Sequence, residues 1–216
     1  HKNPSTLYAG TNNKGLYSST DHGQHWMKVY EWTPAVQIFS IAVDPQNSST
    51  IYIGTAEYDN PGGSAKVYKS TRPEFLEFDW KKDGLEAHRD MRVYEILIHP
   101  KNTQLVYLAT DEGLFKSDNG GDYWTNAMPL AATMDVGTAV LDPNDTSKIY
   151  AADWYLGLYK SVDGGAAWSK FNAGIPTTAI LCLAINPQTP GILFAGTMGY
   201  GIYRSLSKVY LPVVSK

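Results

Sequence analysis

Apolar residues along this chain gather in short runs of the kind that make strands, and one such run returns five times. Leu16-Tyr17-Ser18-Ser19, Val67-Tyr68-Lys69-Ser70, Leu114-Phe115-Lys116-Ser117, Leu158-Tyr159-Lys160-Ser161 and Ile202-Tyr203-Arg204-Ser205 align on their aromatic residue at intervals of 51, 47, 44 and 44. Each copy predicts four strands, A to D. Strand A is a continuous apolar run before an X-Pro step: 38–43 before Asp44-Pro45, 93–98 before His99-Pro100, Val140-Leu141 before Asp142-Pro143, and Ala184-Ile185 before Asn186-Pro187. Runs apolar on both faces belong to strands covered on both sides, and the proline ends the strand and opens a turn. Strand B follows over 50–55, 105–110, 148–152 and 192–197, strand C is the repeated motif, and strand D begins near a tryptophan. A β unit with a period in the mid-forties cannot bury its own faces and must stack against copies of itself, which is the logic of a propeller blade. The pattern therefore predicts an all-β fold, a small five-bladed β-propeller in one domain spanning 1–216. Its blades fall at about 1–33, 34–85, 86–130, 131–175 and 176–214.

The second copy breaks the spacing. From the B-strand aromatic to the C-strand aromatic is 9 residues in the first, fourth and fifth copies and 8 in the third, but 16 from Tyr52 to Tyr68. The surplus, Glu57-Tyr58-Asp59-Asn60-Pro61-Gly62-Gly63-Ser64, predicts a protruding loop, and such insertions on a regular scaffold are where binding loops sit.

Between strands C and D lies the most specific motif. Ser19-Thr20-Asp21-His22-Gly23-Gln24-His25-Trp26 and Ser161-Val162-Asp163-Gly164-Gly165-Ala166-Ala167-Trp168 both read S-x-D-x-G-x-x-W. Ser117-Asp118-Asn119-Gly120-Gly121-Asp122-Tyr123-Trp124 matches with Asn119 in the acid's place. The copy after Ser70 keeps only the serine and a displaced Trp80, and the fifth keeps only Ser205. This motif resembles the Asp-box, or BNR, repeat of sialidases, sortilin-type receptors, xyloglucan-degrading endoglucanases and the photosystem II assembly factor family, and the resemblance covers essentially the whole chain. Locally, Asp or Asn accepts turn amides, glycine supplies a positive φ, and serine ties the turn to the strand. Tryptophan is expected to plug the seam between neighbouring blades, so that Trp26, Trp124 or Trp168 to Ala costs roughly 3–5 kcal/mol.

The two ends pose a topological question. His1 to Tyr8 aligns with the stretch from Pro100 to Tyr107, so the first blade has no inner strand of its own. The strand-like tail Lys208-Val209-Tyr210-Leu211-Pro212-Val213-Val214 cannot supply it, because only Leu206-Ser207 intervene after strand C and two residues at about 3.3 Å each do not cross a sheet. The tail is expected to turn back as the outer strand D, where Pro212 is tolerated. The gap in the first blade is then filled from outside by clipped residues or another subunit, or left as a three-stranded blade. Strand donation would make a head-to-tail homo-oligomer or filament.

Composition narrows the chemistry. Of 216 residues, 43% are hydrophobic and 18% charged, with net charge -3, so no basic footprint for nucleic acid exists. No apolar run reaches the ~20 residues of a membrane-spanning helix. The single cysteine, Cys182, excludes an intrachain disulfide and reads as a small buried hydrophobe. His22 and His25 beside Asp21 lack the three or four convergent groups a metal needs, so neither metal nor other cofactor is expected. A start at His1 rather than methionine points to a mature or excised product, and with the family tendency to extracellular or cell-envelope placement.

If A and C run one way and B and D the other, the B-to-C and D-to-A loops share one face, where the family resemblance also places binding sites. That face carries Trp32, Tyr58, Asp59, His88, Arg89, Asp135, Asp153, Trp154, Tyr155 and Tyr200 as ligand-binding candidates, with Asn12, Asn13, Glu57, Asp90, Asp111, Glu112 and Met198 beside them. Aromatic platforms next to carboxylates suit sugar rings, although Trp32 and Trp154 also fit a packing role. The leading expectation is a non-enzymatic recognition or scaffold propeller for protein or glycan, with no catalytic residues. A subunit of a head-to-tail assembly and a glycoside hydrolase are the alternatives. The hydrolase would draw two carboxylates from Asp59, Asp90, Glu112, Asp135 and Asp153. Sialidase chemistry is disfavoured, because it needs several arginines converging on a carboxylate and the chain has only Arg72, Arg89, Arg92 and Arg204.

Overall fold

The structure, a computed structural model, describes residues 6–31, 36–56, 66–72, 77–80, 85, 91–129, 134–171, 174–176, 178–206 and 209–213, with backbone alone at 77–80, 206 and 209–213. Among them there are strands and turns and no helix. Among the described residues nineteen strands form five meandering antiparallel sheets. The first sheet has three strands, β1 (Leu7–Gly10), β2 (Leu16–Ser19) and β3 (Met27–Tyr30). The second runs β4 (Gln37–Val43), β5 (Ile51–Ala56), β6 (Val67–Arg72) and β7 (Glu77–Trp80). The third comprises β8 (Val93–Ile98), β9 (Val106–Thr110), β10 (Gly113–Ser117) and β11 (Thr125–Asn126). The fourth is β12 (Val136–Leu141), β13 (Ile149–Asp153), β14 (Gly157–Ser161) and β15 (Ser169–Lys170). The fifth is β16 (Ile180–Ile185), β17 (Leu193–Thr197), β18 (Gly201–Leu206) and β19 (Val209–Val213). The tail is thus an outer strand: β19 pairs antiparallel with β18 and sets Pro212 opposite Tyr203.

The chain divides into two compact units, His1–Leu108 with Lys116–Thr125, and Ala109–Phe115 with Asn126–Lys216. In the first, β4 lies against β1 and β8; in the second, β16 lies against β12 and β13. The closeness of these approaches is written in strand B. A Cβ on Gly54 would come within 2.7 Å of Val93 Cγ1, and one on Gly10 would run into Ile38, so the next sheet's first strand rests directly on glycine backbone. Leu16, Val36, Ile51 and Ile53 form the core of the first two sheets. Tyr150, Ala152, Leu158, Ile180, Leu183, Leu193 and Ala195 form that of the last two.

The pre-proline residues do more than precede a turn. Asp44 Oδ1 accepts the amides of Gln46 (2.7 Å) and Asn47 (3.1 Å), Asp142 Oδ1 that of Asn144 (2.9 Å), and Asn186 Oδ1 that of Gln188 (2.9 Å). The turn amides that proline frees are thereby satisfied inside the hairpin.

Three S-x-D/N-x-G-x-x-W turns share one hydrogen-bond plan. Ser19 Oγ donates to Asp21 Oδ1 (2.7 Å) and accepts from Gly23 N (2.9 Å), while Asp21 Oδ1 also accepts from His25 N (2.9 Å). Ser117, Asn119, Gly121 and Tyr123 repeat this at 2.8, 2.8 and 2.9 Å, and Ser161, Asp163, Gly165 and Ala167 at 2.8, 2.8 and 2.9 Å. The amides hold the Asp21 carboxyl down to about 2, the His25 amide first, then the Ser19 hydroxyl and the His25 ring. Asp163 is lowered for the same reason, through Ala167 and then Ser161. Two successive residues take positive φ: Gly120 and Gly121 (68° and 86°), Gly164 and Gly165 (70° and 93°), and in the first turn His22 and Gly23 (61° and 87°).

The tryptophans do not share one environment, which corrects the expectation of three equal wedges. Trp124 is 1% exposed, and Tyr52 and Trp124 both lie against Gly121. Two side chains of the second sheet also grip that turn, Tyr52 Oη and Lys69 Nζ donating to Gly120 O at 2.8 and 2.7 Å, while Gly120 N donates to Gln104 O at 2.8 Å. Burial, with Asp44 and Asp122 nearby, pushes the Tyr52 phenol well above its usual range and keeps it a donor. Trp168 is half-buried and donates to Ala127 O (2.7 Å) and Gly165 O (3.1 Å). Trp26 keeps the bond to its own turn, Gly23 O at 3.1 Å, yet is 43% exposed.

Candidate functional site

The B-to-C turns carry the described part of the predicted face, and a single position in each repeat shapes them. Three residues after the B-strand aromatic stand Thr11, Thr55, Thr110, Asp153 and Thr197. Each threonine hydroxyl donates across the turn: Thr11 to Gly15 O (2.8 Å), Thr55 to Lys66 O (3.1 Å), Thr110 to Gly113 O (2.7 Å) and Thr197 to Gly201 O (2.8 Å). Thr55 thereby closes the mouth of the long insertion.

Asp153 occupies the threonine position of the fourth repeat, and its carboxylate is spent on the main chain. It is buried; Oδ1 accepts Tyr155 N (2.8 Å) and Leu156 N (2.7 Å), and Oδ2 accepts Asp135 N (2.7 Å). Trp154 N donates to Asp135 O at 2.9 Å, so turn and strand start are stitched on both sides. Asp153 therefore builds the loop, its carboxylate holding three main-chain amides. The five threonine-or-aspartate positions were the signal for this role, visible in the sequence only when the repeats are stacked.

Trp154 is half-buried, and its indole lies over Gly137, where any added Cβ would collide with Nε1. Gly137 sits at the irregularity in the pairing of β12 with β13, so the packing reading of Trp154 is the one the geometry favours. What the turns leave in solvent is Tyr155, 76% exposed, on the fourth sheet, and Met198 and Tyr200 on the fifth, where Met198 N is anchored to Ala179 O at 3.0 Å. Glu112, Asn12 and Asn13 are exposed on their own turns. Trp32, Tyr58, Asp59, His88 and Arg89 lie outside the described residues, as do Glu57 and Asp90. Among the described residues no group of three His, Cys, Asp or Glu side chains is arranged to hold a metal ion. No described helix is long and apolar enough to cross a membrane.

No protein-family model matches this sequence, and no curated protein matches it. Solved structures do. A GH74 enzyme from Niastella koreensis superposes with a TM-score of 0.75 at 21% identity, over 98% of this chain and 36% of that one. The extracellular domain of a putative one-component system from B. thetaiotaomicron gives 0.70 at 19% identity, over 94% of this chain and 26% of that one. YCF48 bound to a peptide gives 0.67 at 14% identity, over 97% of this chain and 64% of that one. The chain thus spans about a third of the GH74 enzyme's length. At these identities the likeness establishes the fold, a β-propeller, and the fold alone.

Proposed function

We propose that this chain is a non-enzymatic recognition or scaffold propeller of the Asp-box kind, working outside the cell and holding a protein or glycan on its B-to-C turns. One observation carries the reading: Tyr155 and Tyr200 stand in solvent on turns whose backbones are pinned by Asp153 and Thr197. Rigidly held, exposed aromatic rings are stacking platforms for sugar faces and anchors for peptide side chains, and fixing them in advance lowers the entropy cost of binding. The five sheets serve as its blades, and the serine-aspartate turns as their fasteners. Extracellular placement is supported by the sensor ectodomain among the similar folds. A protein ligand is supported by the peptide held by YCF48.

The second reading, a glycoside hydrolase, is favoured by the GH74 likeness. Asp153 would enter its carboxylate pair only with three main-chain amides already on its oxygens. A glycan array and a peptide library, screened with wild type, Tyr155→Ala and Tyr200→Ala, test the first reading, with soluble polysaccharides assayed for new reducing ends alongside. Binding lost in both variants without turnover supports recognition. Ligands held equally by all three proteins, or reducing ends released by wild type, overturn it.

A further inference from the structure

Tyr155 and Tyr200 stand in solvent on turns of the second unit, and the charges set around them select among ligands. The inference rests on the recognition reading above and narrows it to one class. The B-to-C turns of the third, fourth and fifth sheets and the starts of β12 and β16 all belong to this unit. Each sheet is an antiparallel meander, so these segments lie at the same end of their sheets. Over 109–115, 134–137, 152–158, 178–181 and 195–202 the side chains include four carboxylates, Asp111, Glu112, Asp135 and Asp153, and no lysine, arginine or histidine. Lys148 of the same unit stands in the A-to-B turn at the other end of the fourth sheet, paired with Asp145 at 3.0 Å. Negative charge thus reaches the backbone that carries Tyr155, whose amide is held by Asp153 Oδ1 at 2.8 Å.

The rings make the site, and the charge selects what fills it. An aromatic face is itself negative, so rings set among carboxylates with no cation in their own segments are complementary to positive charge. The chain uses this chemistry internally, where Lys28, Lys69 and Lys160 place Nζ 5.8, 5.4 and 5.6 Å from the ring centres of Tyr17, Tyr52 and Tyr150. Tyr155 and Tyr200, 76% and 60% exposed, offer the same surface outward, and exposed Met198 beside Tyr200 suits the aliphatic stem of a long cationic side chain. A neutral sugar gains nothing from this field and an acidic one is repelled. Two rings on separate turns call for two cationic groups on one flexible backbone, which a basic peptide segment supplies.

We infer that this surface receives an extended protein segment bearing lysine or arginine side chains, their cationic groups resting on the rings of Tyr155 and Tyr200.

Fluorescence anisotropy with labelled peptides of one glycine-serine backbone, carrying paired lysines, glutamines or glutamates, tests this on the full chain. The lysine peptide should bind, weaken as salt is added, and exceed the glutamine peptide by roughly tenfold, while the glutamate peptide is excluded. Tyr155→Ala and Tyr200→Ala each lower its affinity by roughly fivefold or more, and Tyr155→Phe and Tyr200→Phe recover it, because the ring and not the hydroxyl meets the cation. Glu112→Gln slows association and flattens the salt dependence. A wild type that binds no lysine peptide overturns the inference, as does lysine-peptide binding that survives in both alanine variants. Equal affinity for the lysine and glutamine peptides, or a neutral glycan held more tightly through the same two tyrosines, overturns the cationic class while leaving the recognition reading in place.

Discussion

Among the described residues His22 is the one non-glycine residue at positive φ, 61°, where the two sister turns use Gly120 and Gly164. An L side chain in that region costs about 1–2 kcal/mol, partly offset by the greater unfolded-state freedom of glycine. His22→Gly is therefore expected to raise the urea midpoint, by a stability gain of about 0.5 kcal/mol, and a lowered midpoint would show that the imidazole contributes a contact worth more than the strain. Single residues were also the scale at which the sequence was least legible. Asp153 reads as an acidic loop residue on a face rich in acids, because nothing in its neighbours reveals that three amides will converge on it. Only its alignment with four threonines does so. Trp154 carried two meanings in the sequence, and the absence of a side chain at Gly137 favours packing.

The serine-aspartate turn is the element most completely legible in advance. Its serine, acid and glycine each make the contact their chemistry implies, and the same distances recur three times. The tryptophan was legible as to its own turn and not as to its surroundings, since burial depends on a neighbouring sheet that local spacing does not encode. The energetic consequence is unequal. Trp124→Ala empties a filled seam and should cost about 3–5 kcal/mol, whereas Trp26→Ala, at a side chain 43% exposed, should cost about 1 kcal/mol. Chemical denaturation of the two variants at low concentration checks the difference; equal losses would mean that Trp26 is covered in solution. The second repeat remained opaque at its insertion, 57–65, and at 73–76 and 81–84, which lie outside the described residues.

For the whole molecule, repetition made the fold readable: one alignment of five copies yields sheet count, strand order and the outward turn of the tail. It gave little about function, because repeats report what copies share and binding resides where they differ. Acid stability follows from the shared part. Asp21 and Asp145 are held at about 2, Asp145 chiefly by the Ser147 hydroxyl, and Asp163 is lowered as well, against an ordinary 3.8. Depressed folded values favour the native state above 3.8, and that contribution disappears as the pH falls toward about 2. Denaturant midpoints should decline gradually over this window, and Asp21→Asn with Asp163→Asn should flatten the decline; an unchanged slope would remove these turns from the acid response. The third turn, built on Asn119, takes no part in that titration, but it faces another hazard. Asparagine followed by glycine is the sequence most prone to spontaneous deamidation, which begins when the following nitrogen attacks the side-chain carbon. In the native turn that nitrogen, on Gly120, is bound to Gln104, and the Asn119 amide oxygen is held by Ser117 and Tyr123. Folding thus slows a chemical clock that restarts whenever the turn opens.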